Sequence, residues 1–260
     1  MEQGEARKIA AEVAAARLQR RRLDRLAGLV AIDDGYAVQW VANRLLEPRL
    51  GPVVGFKIGG TTERMRAFIR ADRPIAGAIF ARTVYRSGAR LRCADFVEPG
   101  VETEIAVRLR RPLGPEGAPW TPETVAECVA SLMPAIEIVD NRYTDHRHVG
   151  APTIVADNAF NAASVLGYEH HRWQRLALAA LRARTLVGGR LVAEDRSAML
   201  MGHPFAALAW LANEMARLGR SLPAGSFVSL GTITAAQWLR GPASVRIEID
   251  QLGAVDLQFV

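Results

Sequence analysis

The feature that constrains the fold most is a change of pattern at Pro52, where helical periodicity gives way to short apolar runs separated by glycine and proline. Before this point, over residues 7–46, apolar side chains recur at helical spacing in a segment rich in Ala, Leu, Arg and Glu. The pattern predicts two helices, broken near Asp33, Asp34 and Gly35, and either Asp33 or Asp34 can cap the second helix. That helix should end at the Pro48 and Gly51 breakers.

Beyond Pro52 the chain has the pattern of short strands. Seven apolar runs have strand length, at residues 53–58, 79–85, 102–109, 135–139, 226–230, 245–249 and 254–260. Helical patterns interrupt them only at residues 122–131 and 204–218. Because strands outnumber helices and do not alternate with them regularly, the sequence predicts an α+β fold with a mixed, largely antiparallel sheet, closed or folded over.

Composition excludes several classes of protein. Half of the 260 residues are hydrophobic and 23% are charged, which is typical of a globular domain and not of a disordered or fibrous chain. No segment resembles a spanning helix or a signal peptide, so we expect a cytoplasmic protein that does not bind membranes. The formal net charge is +6, but outside the first helix the basic residues are scattered, and no aromatics are interleaved with them. We therefore expect no nucleic-acid partner.

Lys57 stands out because the chain has only one other lysine, Lys8, and all its other side-chain cations except histidine are arginines. It lies in an apolar run, residues 53–60. Either its ammonium reaches the surface, or it is buried. A buried lysine can lose its proton near neutral pH, which arginine cannot, so burial would suit Lys57 to proton transfer.

Glu102 and Glu104 fall on one face of a predicted strand, because alternation turns Val101, Thr103 and Ile105 to the other face. Their carboxylates would lie about 7 Å apart along the strand. One interpretation is a solvated strand face. The other is a pair of hard oxygen ligands that share a divalent cation once a third carboxylate joins them.

Glu137 is the candidate for that third carboxylate. It lies in a run so apolar, residues 134–139, that its side chain should be buried. A buried carboxylate needs a cation, an ion-pair partner or a proton. The partner could equally be one of the many arginines, so the spacing alone leaves both interpretations open.

Taken together, these four charged residues resemble the site of a known enzyme family. The motifs that carry the resemblance are, in chain order, GFKIG at residues 55–59, ETE at 102–104, PAIEIV at 134–139, VADNA at 155–159 and GHP at 202–204. Their order and spacing are similar to those of the 2-keto-4-pentenoate hydratase and 2-oxo-3-hexenedioate decarboxylase family, within the fumarylacetoacetate hydrolase superfamily. The resemblance covers about residues 15–260.

This resemblance implies Mg²⁺ or Mn²⁺ held by Glu102, Glu104 and Glu137, in a sheet rolled around the active site. It implies an N-terminal helical region over residues 1–50 and a fumarylacetoacetate-hydrolase-like catalytic domain over residues 51–260. A homo-oligomer is also expected from the family.

The implied activity is that of a lyase of aromatic catabolism. A hydratase would add water to a small 2-hydroxy-2,4-dienoate or 2-oxo-4-enoate through a metal-stabilised enolate, and Lys57 would move the proton or orient the water. The alternative is decarboxylation of a 2-oxo-3-enedioate. Further alternatives are C–C hydrolysis of an acylpyruvate and a catalytically silent binding member of the fold.

Substrate-binding residues are implied at Asp157, Asn158 and Thr232. The sequence departs from the family at Arg82, where hydratases usually carry an aspartate, and at Phe160, near which a small hydroxyl residue is usual. Arg82 could bind a second substrate carboxylate, because a guanidinium offers a two-point fit to it, or it could neutralise a surplus glutamate.

Overall fold

Strands dominate the fold beyond the first fifty residues. The computed structural model describes all 260 residues. The helices are α1 Gln3–Gln19, α2 Ile32–Leu50, α3 Glu63–Ile69, α4 Pro122–Ala126, α5 Gly150–Ala156 and α6 Pro204–Arg217. The strands are β1 Val53–Gly59, β2 Ile75–Phe80, β3 Val84–Arg86, β4 Ala89–Leu91, β5 Pro99–Leu109, β6 Val129–Asp140, β7 Asn161–Leu166, β8 Arg182–Val187, β9 Arg190–Arg196, β10 Phe227–Thr232, β11 Gln237–Trp238, β12 Ala243–Ile249 and β13 Gly253–Phe259.

The helices differ from the sequence-based expectation: α3 and α5 were not expected, and two of the expected helices have other bounds. The break between α1 and α2 spans residues 20–31, before Asp33, because α2 begins at Ile32 and the carboxylate of Asp34 accepts hydrogen bonds from the backbone N–H groups just before the helix. The helical pattern over residues 122–131 forms only the short α4. From Val129 the apolar residues pair in the sheet as β6 instead.

Two mixed sheets form the rest of the molecule. The larger has the order β2-β1-β10-β5-β6-β7-β3, with β11 added beside β5, and the smaller has the order β4-β13-β12-β8-β9. Only the pairs β1–β10, β3–β7 and β4–β13 are parallel. The prediction of an α+β fold with a mixed, largely antiparallel sheet is confirmed.

Side chains cover the free edge of β2, the outer strand of the larger sheet. The N–H of Ala76 donates to the hydroxyl of Tyr36, and Gln39 Nε2 donates to the carbonyl of Ala76. The amide of Asn158 accepts from the N–H of Ala78 at 2.7 Å and donates to its carbonyl at 2.6 Å, as a neighbouring strand would. Asn158 precedes β7, so the sheet curls until the approach to β7 lies against β2.

One hydrophobic core joins the helices to the sheets. A single cluster of 62 buried residues takes in α1, α2, α5, α6 and strands of both sheets. The N-terminal helices therefore pack on the same core that supports the larger sheet. No helix has both the length and the hydropathy that crossing a bilayer requires.

Candidate functional site

Three carboxylates converge on one face of the larger sheet. Glu102 and Glu104 alternate along β5, and Glu137 on β6 is the direct cross-strand partner of Glu102. Each of the three side chains has a carboxylate oxygen within 4.8 Å of those of the other two. Residues opposite one another in neighbouring strands have their side chains close together on one face, which explains the convergence.

Glu104 and Glu137 are held out of water, Glu102 is half-buried, and the pKa values of Glu102 and Glu104 are raised. Glu104 and Glu137 are fully buried, and Glu104 Oε1 has no hydrogen-bond partner, while its Oε2 accepts from the N–H of Gly231 at 3.3 Å. Burial, and then the charge of Glu137, raises the pKa of Glu102 to about 7. The pKa of Glu104 is also raised, by burial and by both neighbouring carboxylates. A solvated strand face is therefore excluded for Glu104.

Lys57 faces this cluster from β1. The residue is 3% exposed, and its Nζ lies 3.1 Å from Glu137 Oε2 and donates a hydrogen bond to the carbonyl of Ala159 at 3.1 Å. Burial lowers the pKa of Lys57, but Glu137, Glu102 and Glu104 raise it by more, so the net shift is upward. Lys57 is buried and carries its charge when the carboxylates are ionised, which excludes a surface lysine.

The contact between Lys57 and Glu137 depends on the curl of the sheet. Their strands, β1 and β6, are separated by β10 and β5 in the sheet order. In a flat sheet such strands would lie about 14 Å apart, farther than a lysine side chain reaches across. The curl brings both side chains into the same enclosed space.

Asn161 anchors the other oxygen of Glu137. Its Nδ2 donates to Glu137 Oε1 at 3.0 Å, and both side chains are fully buried. This fixes the orientation of the Glu137 carboxylate between an amide and the Lys57 ammonium. Asn161 was not among the candidates from the sequence, although an amide directly after Phe160 and close to a family motif was a signal for such a role.

The segment that supplies the Ala159 carbonyl has an unusual backbone. Asn158, Ala159 and Phe160 have φ of 56°, 49° and 62°, and none of them is glycine. Left-handed conformations cost about 1–3 kcal/mol each in non-glycine residues and persist where the surroundings enforce them. Gly77 permits the close approach, because a Cβ at that position would lie 2.7 Å from the carbonyl oxygen of Asn158.

Asp157 and Asn158 do not line the pocket, contrary to the expectation that they bind substrate. Arg142, itself 1% exposed, donates to both oxygens of Asp157 at 3.1 and 2.8 Å, and its third nitrogen contacts Asp140 at 3.4 Å. Burial raises the pKa of Asp157 against the opposing effect of Arg142. The side-chain amide of Asn158 is hydrogen-bonded to the backbone N–H and carbonyl of Ala78. Both residues therefore support the pocket wall from behind.

A pocket of about 470 Å³ opens in front of Lys57 and Glu102. Thr232 lies in its wall, as expected, with its hydroxyl donating to the carbonyl of Thr234 at 2.7 Å. The helix α3 forms another wall and contributes Phe68, whose ring centroid lies 6.3 Å from that of His146. The wall also includes Arg64, Met65, Phe160, Asp195 and Trp238.

Sequence analysis missed both α3 and His146. The segment Glu63–Ile69 is short and contains three charged residues, so its apolar side is visible only once the helix is known. His146 lies in a run of polar residues, which is typical of a solvated loop, but its ring centroid lies 6.3 Å from that of Phe68 and 5.8 Å from that of Trp238. Local polarity did not indicate that this loop turns toward the pocket.

Arg82 lies outside the pocket, which corrects the expectation that it contacts substrate. β2 ends at Phe80, and the following turn carries Arg82 outward, where its exposed side chain donates to the carbonyl of Arg49 at 2.9 Å. Arg82 therefore contacts the C-terminal end of α2, whose last carbonyls attract cations. It neutralises no glutamate of the cluster.

Comparisons with known proteins agree with this geometry. The family described as fumarylacetoacetate (FAA) hydrolase C-terminal matches residues 59–260. The chain is 34% identical over 224 residues to a 2-keto-4-pentenoate hydratase of Burkholderia vietnamiensis (strain G4 / LMG 22486), covering 86% of this chain and 84% of that protein. It is 30% identical over 227 residues to a 4-oxalocrotonate decarboxylase of Pseudomonas putida, covering 87% and 85%.

One solved structure matches along the whole chain. It is a 4-oxalocrotonate decarboxylase from Pseudomonas putida G7, complexed with magnesium and adipate. The TM-score is 0.94 at 26% sequence identity, and the match covers 100% of this chain and 99% of that one. The similarity therefore includes the N-terminal helices.

Proposed function

Because the chain belongs to the fumarylacetoacetate hydrolase C-terminal family, we propose that it is a divalent-metal-dependent lyase that adds water to a small 2-hydroxy-2,4-dienoate or 2-oxo-4-enoate. The observation that carries the proposal is the buried cluster of three carboxylates with Lys57 at its edge. Similarity to a hydratase over 86% of the chain supports the reaction.

The carboxylate cluster fits a hard divalent cation such as Mg²⁺ or Mn²⁺. With every group ionised, Glu102, Glu104, Glu137 and Lys57 carry a net charge of −2 in a buried space, which is costly without compensation. Glu104 Oε1 has no hydrogen-bond partner, so it is free to be a ligand. We infer that the three glutamates hold the cation. When bound, it would polarise the 2-oxo oxygen of the substrate and make the adjacent carbon more acidic.

Lys57 is suited to hold and deliver a proton. Its ammonium is fixed between Glu137 and the Ala159 carbonyl, and it lines the pocket that would receive the substrate. A proton held at Nζ can be transferred to the substrate carbon chain, or the amine can orient the water that adds to the double bond. Either role needs a fixed nitrogen at the inner end of the pocket.

The pocket walls supply orientation and exclude water. Thr232 offers a polar group near the inner end, whereas Met65, Phe68 and Trp238 present apolar surface to the hydrocarbon part of the substrate. A volume of about 470 Å³ suits a small molecule. This combination favours a short acid with a polar head and an unsaturated tail.

Decarboxylation of a 2-oxo-3-enedioate is the second candidate. It is favoured by the similarity, in sequence and along the whole fold, to 4-oxalocrotonate decarboxylases. The polarised 2-oxo group would accept the electrons released with carbon dioxide, so the same residues serve either reaction.

One experiment tests both candidates. Protein stripped with EDTA is assayed on 2-hydroxypenta-2,4-dienoate and on 2-oxo-3-hexenedioate, with and without added Mg²⁺ or Mn²⁺. Hydration of the first substrate that requires the cation supports the main proposal, and carbon dioxide release from the second supports the alternative. Absence of turnover on both, in a protein that binds the cation, would leave C–C hydrolysis of an acylpyruvate and the silent binding member of the fold.

Homo-oligomeric assembly and a cytoplasmic location remain predictions from the family resemblance and the composition. Light scattering coupled to size-exclusion chromatography tests the first. Fractionation of the source cells tests the second.

A further inference from the structure

We propose that Asn158 is a positioning residue, which holds the backbone turn at residues 158–160 so that the Ala159 carbonyl keeps the Lys57 ammonium beside Glu137. The inference rests on the proposed function, because the position of Lys57 matters to catalysis only in that reaction. Asn158 acts through the turn and does not touch the substrate pocket.

The turn needs an external restraint. Three consecutive residues without glycine adopt the left-handed conformation, which is unfavourable for Ala159 and Phe160 in particular. Without a restraint this segment would relax. The Ala159 carbonyl now accepts a hydrogen bond from Lys57 Nζ at 3.1 Å. After relaxation it would lie farther from this nitrogen.

Asn158 provides the first restraint. Its side-chain amide makes two short hydrogen bonds with the N–H and the carbonyl of Ala78, both in the buried interior. The backbone of Asn158 is pressed against Gly77, which has no side chain to keep it away. Because β2 pairs with β1, the strand that carries Lys57, these contacts set the turn relative to Lys57 itself.

Asp157 provides a second restraint on the same turn. Arg142 holds its carboxylate at two points and also contacts Asp140, the last residue of β6. β6 carries Glu137, so the turn is tied at one side to β2, which pairs with the strand of the lysine, and at the other to the strand of its carboxylate partner. Between these two attachments, the Ala159 carbonyl of the turn accepts the hydrogen bond from Lys57.

Gln39 is a matched control within the chain. It covers the same edge of β2 and makes two buried hydrogen bonds, to the carbonyls of Ala76 and Val155, but it contacts neither the turn nor Lys57. Gln39→Ala removes one hydrogen bond to β2 and one to α5, and Asn158→Ala removes two to β2, so each variant loses two buried hydrogen bonds. A merely structural role of Asn158 predicts the same consequences for both variants.

The kinetic test compares these two variants on the substrate that the wild type turns over. We expect Asn158→Ala to lower kcat about 100-fold, the effect of a misplaced reacting group, with KM and the Mg²⁺ dissociation constant within about twofold of wild type. Gln39→Ala should lower the melting temperature comparably and leave kcat near wild type. Equal kcat values in the two variants would overturn the proposal.

A second measurement does not depend on turnover. The chain has only Lys57 and the exposed Lys8, so labelling by acetic anhydride followed by peptide mass spectrometry reports the accessibility of Lys57 against an internal reference. We expect faster labelling of Lys57 in Asn158→Ala than in Gln39→Ala or wild type. Unchanged labelling refutes the positioning role even if the assigned reaction proves wrong.

If Asn158→Ala does not fold, Asn158→Asp replaces it in both measurements. The carboxylate can still accept from the Ala78 N–H but cannot donate to the Ala78 carbonyl. We expect a smaller loss of kcat, about tenfold, and faster labelling of Lys57 than in Gln39→Ala. Wild-type values of both would refute the proposal.

Discussion

Lys57 Nζ lies 3.1 Å from Glu137 Oε2, and the two side chains are only 4% and 0% exposed. Two opposite charges removed from water in this way depend on each other. Truncating either one leaves the other buried without its ion-pair partner, which typically costs about 3–5 kcal/mol of the free energy of unfolding. Changes at this pair must therefore be assessed for both stability and activity.

The first prediction separates these effects at Lys57. Lys57→Ala should lower the melting temperature, whereas Lys57→Arg keeps the positive charge beside Glu137 and should be the more stable of the two. Both should nevertheless lose about 10²–10⁴-fold in kcat, because a guanidinium does not exchange its proton near neutral pH. Melting curves and steady-state kinetics under saturating Mg²⁺ check this. Near-wild-type turnover by Lys57→Arg would remove Lys57 as the acid or base.

The second prediction concerns the metal ligands. Glu104→Gln removes one anionic ligand of the cation. Calorimetric titration with Mg²⁺ or Mn²⁺ should therefore show a larger loss of affinity than the ~10–100-fold that follows removal of a residue that only supports a ligand. Asp195→Asn is the matched control, since Asp195 lines the same pocket but lies outside the cluster. Equal affinities in the two variants would contradict the site.

The third prediction is a pH dependence of metal binding. In the metal-free protein the pKa of Glu102 is raised from 4.5 to about 7, so the folded state holds a proton that the cation must displace. The apparent affinity for Mg²⁺ should therefore fall as the pH drops below about 7, by about tenfold per pH unit for each displaced proton.

The same shift has a consequence for stability. A carboxyl whose pKa is higher in the folded than in the unfolded state stabilises the metal-free protein fully at pH values below its unfolded pKa. This contribution to stability is lost as the pH rises through the folded-state pKa, which is about 7 for Glu102. Added Mg²⁺ should therefore raise the melting temperature more at about pH 8 than at about pH 5.5. An equal increase at both values would argue against a protonated carboxyl in the cluster.

The fourth prediction concerns Arg82. Its side chain is exposed and bound to the carbonyl of Arg49, so Arg82→Ala should change the free energy of unfolding by no more than about 0.5 kcal/mol. Selectivity between the monocarboxylate and the dicarboxylate substrate should stay the same. A selective loss of dicarboxylate turnover would show that Arg82 reaches the substrate after all.

The fifth prediction tests the close approach at Gly77. In Gly77→Ala the new Cβ would lie 2.7 Å from the Asn158 carbonyl oxygen and 3.2 Å from the Lys57 side chain. Such overpacking should cost about 1–3 kcal/mol of the free energy of unfolding. Gly241→Ala is the control, because nothing lies within 4 Å of its added Cβ. Similar denaturation midpoints for the two variants would contradict the packing.

The alternation along β5 determined, from sequence alone, that Glu102 and Glu104 share a face, because strand periodicity is a local property of the backbone. The apolar run around Glu137 likewise implied that this carboxylate is buried, and the order of the motifs indicated the family. These inferences need only a few neighbouring residues. The mixed sheet followed from the number of strand-like runs.

Only the tertiary structure decided which of these residues meet. Lys57 reaches Glu137 because the sheet curls across two intervening strands, and curvature depends on distant contacts such as that between Asn158 and Ala78. Arg82 turns outward because the chain bends after β2. The carboxylate of Asp157 accepts hydrogen bonds from Arg142 and does not line the substrate pocket. Sequence periodicity determines the face on which a side chain lies, whereas its partner across the fold depends on the packing of the whole core.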